Sequence, residues 1–405
     1  MPIKYLVESF DLNNLPAAFY DDPFPFYRAL RESAPIKRLS DGSYFLTRYA
    51  EVLAVYNNAQ IFSSDKKIEF KPKFGDSLLY EHHTTSLVFS DPPLHTRVRK
   101  LISAALTSRA ISAMEPVLIA LIDRLLDQAE EKHQIDLIEN FAAAIPIEVI
   151  GNLLGVRRED RGPLRGWSLA ILSALEPAIS TEVFERGNRA VREFLDYLAT
   201  LIADRRRYPG DPARDVLTAL IQGESDGDRL TQSELLHNCI FILNAGHETT
   251  TNLIGNALVL LCEWRDERQR LIDQPDLIKS AIEEFLRFES SNQLGNRITA
   301  EKTEIDGIAM PRGTRIHLCI GAANRDPAQF PDPDRLHIAR APNRHLAFAW
   351  GIHACAGMSL ARLEGRIAIS RVLQRFPDFE LLGKPKRSHR ARFRGFTAIP
   401  CRLNK

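Results

Sequence analysis

The chain has 405 residues, 44% of them apolar and 26% charged, the balance of an ordinary soluble globular protein. Its 53 Lys and Arg against 52 Asp and Glu leave a formal charge of +1, which argues against nucleic acid or another polyanion as the main ligand. The five cysteines, Cys239, Cys262, Cys319, Cys355 and Cys401, are odd in number and form no CxxC pair, so neither a disulfide framework nor a Cys-rich zinc site is expected.

In chain order, the N-terminal stretch MPIKYLVESFDLNNLPAAFYDDPFPFYRAL has acids and prolines interrupting every apolar run. It has no signal-peptide core, and a cytoplasmic location is the expectation. Ile36–Tyr49 reads as a hairpin turning at Asp41-Gly42. Helical periodicity then predicts helices over Thr96–Arg109, Ala110–Glu131, Glu148–Leu154 and Thr181–Arg207. The segment RRRYPGDPARD, Arg205–Asp215, is expected to be a loop between two packed helices, because basic residues suit a last helical turn.

Further predicted helices cover Thr231–Trp264 and Pro275–Phe288, and Glu304–Ile320 reads as short strands joined by an Asp-Gly and a Pro-Arg-Gly turn. An amphipathic helix follows over Gly357–Phe376. The expected fold class is mainly α with a small β region built from both chain ends. With no repeat and no low-complexity linker, residues 1–405 are read as a single domain.

The helix opened by the capping box Thr231-Gln-Ser-Glu234 is long enough to cross most of the molecule. It is apolar nearly all round over Cys239–Leu243, yet then carries Asn244, His247, Glu248, Thr249, Thr250, Thr251 and Asn252. Within it, Ala245-Gly-His-Glu-Thr-Thr250 sets a carboxylate beside a hydroxyl, a pairing that can relay protons in a buried site. Gly246 removes bulk there, and Thr249 can loosen the helical hydrogen bonds. A polar belt around structural water is the alternative reading.

Phe348-Ala-Trp-Gly-Ile-His-Ala-Cys-Ala-Gly357 is a glycine-punctuated loop leading into a helix. Cys355 thus lies near a helix N-terminus, where unpaired N–H groups and the dipole favour a thiolate. Gly351 and Gly357 allow close backbone approach to a planar group. The pattern F-x-x-G-x-H-x-C-x-G arises by chance in on the order of one chain in ten thousand. By contrast, Glu284-Phe-Leu-Arg287 alone reads as a generic surface pair, and His95, Arg99, Arg297 and His345 each read as solvated surface.

Taken together, these segments resemble the cytochrome P450 family, in its soluble bacterial form. Asp21–Ile36, Ala322–Pro327 and Arg394-Gly-Phe396 also fit, so the resemblance covers nearly the whole chain. It implies a helical bundle around a buried haem b, with Cys355 as the iron ligand and Phe348, Gly351 and Gly357 in the cofactor loop. Ala349 stands where many members have a second glycine. It further implies Glu248 as the acid and Thr249 as the alcohol of oxygen activation, beside Gly246. Glu284, Arg287 and Arg335 would form a structural triad, and His95, Arg99, Arg297 and His345 would pair with the haem propionates.

By position in these motifs, Phe241, Asn244, Ala245, Gln293, Leu294, Gly295 and Phe396 are expected to line the substrate pocket. The tip Phe393–Phe396 and a loop over Phe70–Phe89 are expected to close it. Asn244 and Gln293 either hydrogen-bond each other or bind an oxygen or carboxylate of an otherwise apolar molecule, such as a terpenoid, steroid or aromatic acid. The implied activity is monooxygenation with electrons from a ferredoxin and its reductase, since no flavin or iron–sulfur module is evident. Arg97, Lys100, Arg344, Arg362 and Arg366 offer a basic face for such a partner. A peroxide-driven haem-thiolate oxidase and a non-catalytic haem sensor or binding protein are the alternatives.

Overall fold

The computed structural model describes residues 3–212, 215–223 and 229–404. Helices dominate its middle. Thr181–Arg207 ends in three arginines before the Tyr208 cap, and the next helix, Val216–Gln222, packs against it. Ala213 and Arg214 of the intervening loop lie outside the described residues.

The chain between residues 94 and 132 forms two helices, Leu94–Ala105 and Ser108–Lys132. The break falls two residues before the one expected from periodicity, because Thr107 caps the second helix by accepting from the Ala110 N–H. Lys67–Phe74 and Leu78–Thr85 are helices where an irregular loop was expected.

Strands β1 (Ile36–Arg38), β2 (Tyr44–Leu46), β3 (Phe62–Ser63), β4 (Leu294–Thr299) and β5 (Arg315–Cys319) form one sheet in the order β1-β2-β5-β4-β3. The β1/β2 hairpin turns at Asp41-Gly42, with Gly42 at φ 78° and the Asp41 carboxylate accepting from Ser43. β2 and β5 pair in parallel, Tyr44 opposite Ile316. One sheet therefore joins residues 36–63 to residues 294–319, and a small sheet joins Gln134–Asp136 to Pro400–Arg402.

The 32-residue helix Gln232–Glu263, about 48 Å long at 1.5 Å per residue, is the axis of the molecule. Its capping box forms as the sequence predicts. Leu253, Ile254, Ala257, Leu258 and Leu261 are at most 2% exposed, so this half is enclosed on every side. It packs on Met358–Arg375, the helix after the cysteine loop, and on Ala144–Leu153, Leu164–Ser173 and Ile278–Phe288.

Candidate functional site

The cysteine loop is held from three directions. The Cys355 N–H donates to the Phe348 carbonyl at 2.9 Å, and Arg99 donates to the Ala354 carbonyl at 2.6 Å. Gly351 lies at φ 71°, and a Cβ there would stand 2.4 Å from the Tyr56 carbonyl oxygen, so glycine is required on both counts. Ala349 adopts φ 56°, the left-handed region that disfavours a Cβ. Gly357 caps the following helix and faces open space. Burial pushes the free Cys355 thiol up, while the Gly357 N–H and the Arg99 and Arg362 charges pull it down. The helix-terminal effect read from the sequence is present but outweighed, so a thiolate here needs a bound cation to deprotonate it.

Beside this loop, His95, Arg99, Arg297 and His353 form a basic cluster. The imidazole centroids of His95 and His353 are 4.1 Å apart. Both ring nitrogens of His95 and Nε2 of His353 are buried without a hydrogen-bond partner among the described residues. Arg297 lies over the Tyr56 ring and, among the described residues, donates only to a neighbouring carbonyl, that of Asn296. Neither it nor Arg99 forms an ion pair among the described residues. Burial, and then Arg297 and the other cations, drive His353 down to about 2.

His345 differs from expectation. Its Nε2 lies 3.2 Å from Glu283, a carboxylate that also takes Arg362 at 2.7 Å. Its Nδ1 accepts from the Ala347 N–H, so the ring is committed elsewhere and His353 takes the place in the cluster assigned to it from sequence. The spacing inside the cysteine motif, two residues before Cys355, was the available signal.

The central helix presents one open patch. Ala245 is exposed, and Phe241, Gly246 and Thr249 are partly so, although flanking residues such as Leu243, Asn244 and His247 are at most 3% exposed. Thr249 Oγ1 donates back to the Ala245 carbonyl at 2.7 Å. Glu248, one residue earlier, is buried and ion-paired with Arg390. Burial raises its carboxyl above the ordinary range against the pull of Arg390, and its second oxygen has no partner among the described residues. Arg390 also donates to Glu176 at 3.1 Å, and the Glu176 carboxylate further accepts from the Ala391 and Arg392 N–H groups. The expectation that Gly246 makes room in the patch is corrected. A Cβ there would meet Ile150 Cδ1 at 2.5 Å, so Gly246 permits close approach of the helix Ala144–Leu153.

Of the expected pocket residues, Asn244 sets its amide nitrogen 3.4 Å from His82 Nε2, and its Oδ1 has no partner among the described residues. Asn244 and Gln293 do not bond each other. Gln293 Nε2 donates to the Ser290 carbonyl at 2.6 Å, and its side chain packs against Gly321. Leu294 is fully buried in a cluster with Phe10 and Phe45, away from the open patch, and Phe396 lies beneath the Arg387 guanidinium in the main core. Gly295 is small because a Cβ would strike the Tyr56 hydroxyl at 2.2 Å. A surface cleft of about 460 Å³ between Leu78–Thr85 and Thr181–Arg207 includes none of these residues.

Glu284 and Arg287 are fully buried and bonded twice, each contact 2.8 Å. The third side chain is Arg340, whose Nε lies 3.1 Å from Glu284, and not Arg335. Exposed Arg335 supplies only its backbone carbonyl to Arg287. Asn343 and the His337 N–H complete the shell of Glu284.

The family model for cytochrome P450 matches residues 167–392. The chain belongs to the cytochrome P450 family. A biotin biosynthesis cytochrome P450 of Bacillus subtilis is 36% identical over 366 residues, 90% of this chain and 91% of that one. A vitamin D(3) 25-hydroxylase of Pseudonocardia autotrophica is 38% identical, covering 90% and 88%. Among solved structures, a cytochrome P450 in complex with hexadec-9Z-enoic acid ligated acyl carrier protein superposes with a TM-score of 0.90 at 34% identity, over 95% of this chain and 99% of that one.

The protein is thus a bacterial-type P450 monooxygenase with the P450 fold. Members of this family bind haem, and the donor set fits such a group. Cys355 lies beside Arg99, which like Arg297 forms no ion pair among the described residues, and the imidazoles of His95 and His353 hold buried nitrogens without partners there, as a metal-bearing dianion would require.

Proposed function

We propose that this cytochrome P450 is a single-domain, cytoplasmic enzyme that binds haem b through Cys355 and hydroxylates a small hydrophobic molecule using O2 and electrons from a ferredoxin and its reductase. The observation that carries this reading is the cluster of His95, Arg99, Arg297 and His353 beside Cys355, whose arginines form no ion pair and whose buried imidazole nitrogens lack partners among the described residues. Bound haem supplies O2 activation. The protein's own residues supply the rest. The basic cluster neutralises the propionates, and the Gly357 N–H donates toward the sulfur. Ala245 leaves space on the central helix, and Thr249 holds a hydroxyl at that space. Glu248 carries the proton that reaches it from the Arg390 side.

Names of relatives support an apolar skeleton in the terpenoid, steroid or aromatic-acid range, since one relative acts on vitamin D(3). Electrons would arrive across a face that includes exposed Lys100 and Arg344. Arg97 and Arg362 contribute less charge to it because they are paired with Glu234 and Glu283. The test is the reduced, CO-bound difference spectrum of the wild type and of Cys355→Ala, followed by oxygen-dependent product formation with a ferredoxin system. Retention of the thiolate signature in Cys355→Ala would refute the ligand assignment. Peroxide-supported turnover at the same rate without O2 would refute the electron-transfer reading.

A further inference from the structure

Lys73 and Arg392 come from distant parts of the chain and converge on adjacent carbonyls. Lys73 Nζ donates to the Glu176 carbonyl at 2.6 Å, and Arg392 Nε donates to the Leu175 carbonyl at 3.1 Å. Both side chains are partly, not fully, buried. Neither forms an ion pair among the described residues. The acids whose charge reaches them are already committed: Glu69 to the fully buried Lys66 at 2.7 Å, and Glu176 to Arg390. Burial, and then repulsion from Arg392, bring the Lys73 ammonium down to about 8. Two confined cations with carbonyl partners alone are costly unless an anion joins them.

Their surroundings belong to the interior side of the fold. Arg392 is two residues from Arg390, which grips Glu248 on the central helix, and its second contact is donation from Nη1 to the Leu294 carbonyl at 2.7 Å. Lys73 lies over the Phe74 ring, and Phe70, Phe74, Phe89 and His83 form a contiguous aromatic wall beside it. His83 Nε2 has no partner among the described residues. Apolar walls with a small number of convergent polar groups are the makings of a ligand site.

We propose that Lys73 and Arg392 form an anion clamp that selects, as the substrate, an apolar molecule bearing a carboxylate. This rests on the monooxygenase reading above. The clamp orients the ligand by its acid and leaves the apolar part to the patch at Ala245 and Thr249.

The haem-loaded protein is titrated with dodecanoic acid, dodecan-1-ol and methyl dodecanoate, followed by calorimetry and by the haem spin-state shift. The acid is expected to bind about tenfold tighter than the alcohol or ester. Lys73→Gln, which loses one hydrogen bond and leaves the Arg392 ties intact, is expected to weaken the acid alone, and Lys73→Arg to restore it. Lys73→Gln combined with Arg392→Gln is expected to erase the preference.

Equal affinities in the wild type, no binding of any of the three, or a preference that survives the double substitution in protein with an unchanged reduced-CO spectrum would overturn the proposal. Absence of the thiolate signature in the wild type would overturn the functional reading and the proposal together. That failure is recognised before any ligand is added.

Discussion

Arg390 reaches the central helix to hold the Glu248 carboxylate, and the same guanidinium donates to Glu176 and to the Leu172 carbonyl. The carboxylate proposed to carry the proton is therefore tethered by a cation that also bonds Glu176 and the Leu172 carbonyl. Burial raises the Glu248 carboxyl and Arg390 opposes that rise. Arg390→Gln removes the opposing charge, so Glu248 keeps its proton to higher pH. The limb of the pH profile of product formation that reports this group is expected to move upward in pH. Glu248→Gln is expected to remove that limb and slow turnover about 10²-fold with an unchanged CO spectrum.

The Glu284 cluster separates side chains that hold charge from one that lends only its backbone. Glu284→Gln leaves buried Arg287 and Arg340 short of a partner and is expected to cost about 3–5 kcal/mol in urea unfolding. Arg340→Ala is expected to cost about 1–3 kcal/mol. Arg335→Ala should stay within about 0.5 kcal/mol, because its carbonyl remains.

In the cysteine loop, Ala349 occupies the left-handed region with its Cβ in place. Ala349→Gly is expected to stabilise the protein by about 1 kcal/mol, read as a higher Tm. Gly351→Ala, which adds a clash with the Tyr56 carbonyl, should move Tm the other way.

Glu364, on the helix after the loop, is buried, its Oε2 has no partner among the described residues, and burial pushes it up to about 8. Its folded value exceeds the unfolded one, so its contribution to stability is fully present below about pH 4.5 and is lost as pH rises toward 8. Glu364→Gln is expected to gain stability relative to wild type across that window, with a slope of at most about 1.4 kcal/mol per pH unit. Parallel pH curves in urea unfolding would contradict this.

What the sequence made legible was local chemistry. The capping box at Thr231 and the Asp41-Gly42 turn each act through neighbours within a few residues, and each forms as read. Long-range partners were not legible. Arg340 and Arg390 are arginines among many, and only the packed chain brings them to Glu284 and Glu248. The helices Lys67–Phe74 and Leu78–Thr85 were hidden because they are short, and Pro72 interrupts the first. Leu294 was misplaced for a geometric reason. Successive strand residues face opposite sides, so Leu294 and Gly295 of β4 cannot both line one pocket.

Glu176 binds Arg390 through its carboxylate and Lys73 through its carbonyl, so one residue is a neighbour to both the proposed proton carrier and the proposed anion clamp. Redesign of the 175–176 turn to admit neutral compounds is therefore a change to turnover chemistry as well. Variants chosen there for breadth of acceptance alone are best screened for coupling of electron consumption to product from the outset.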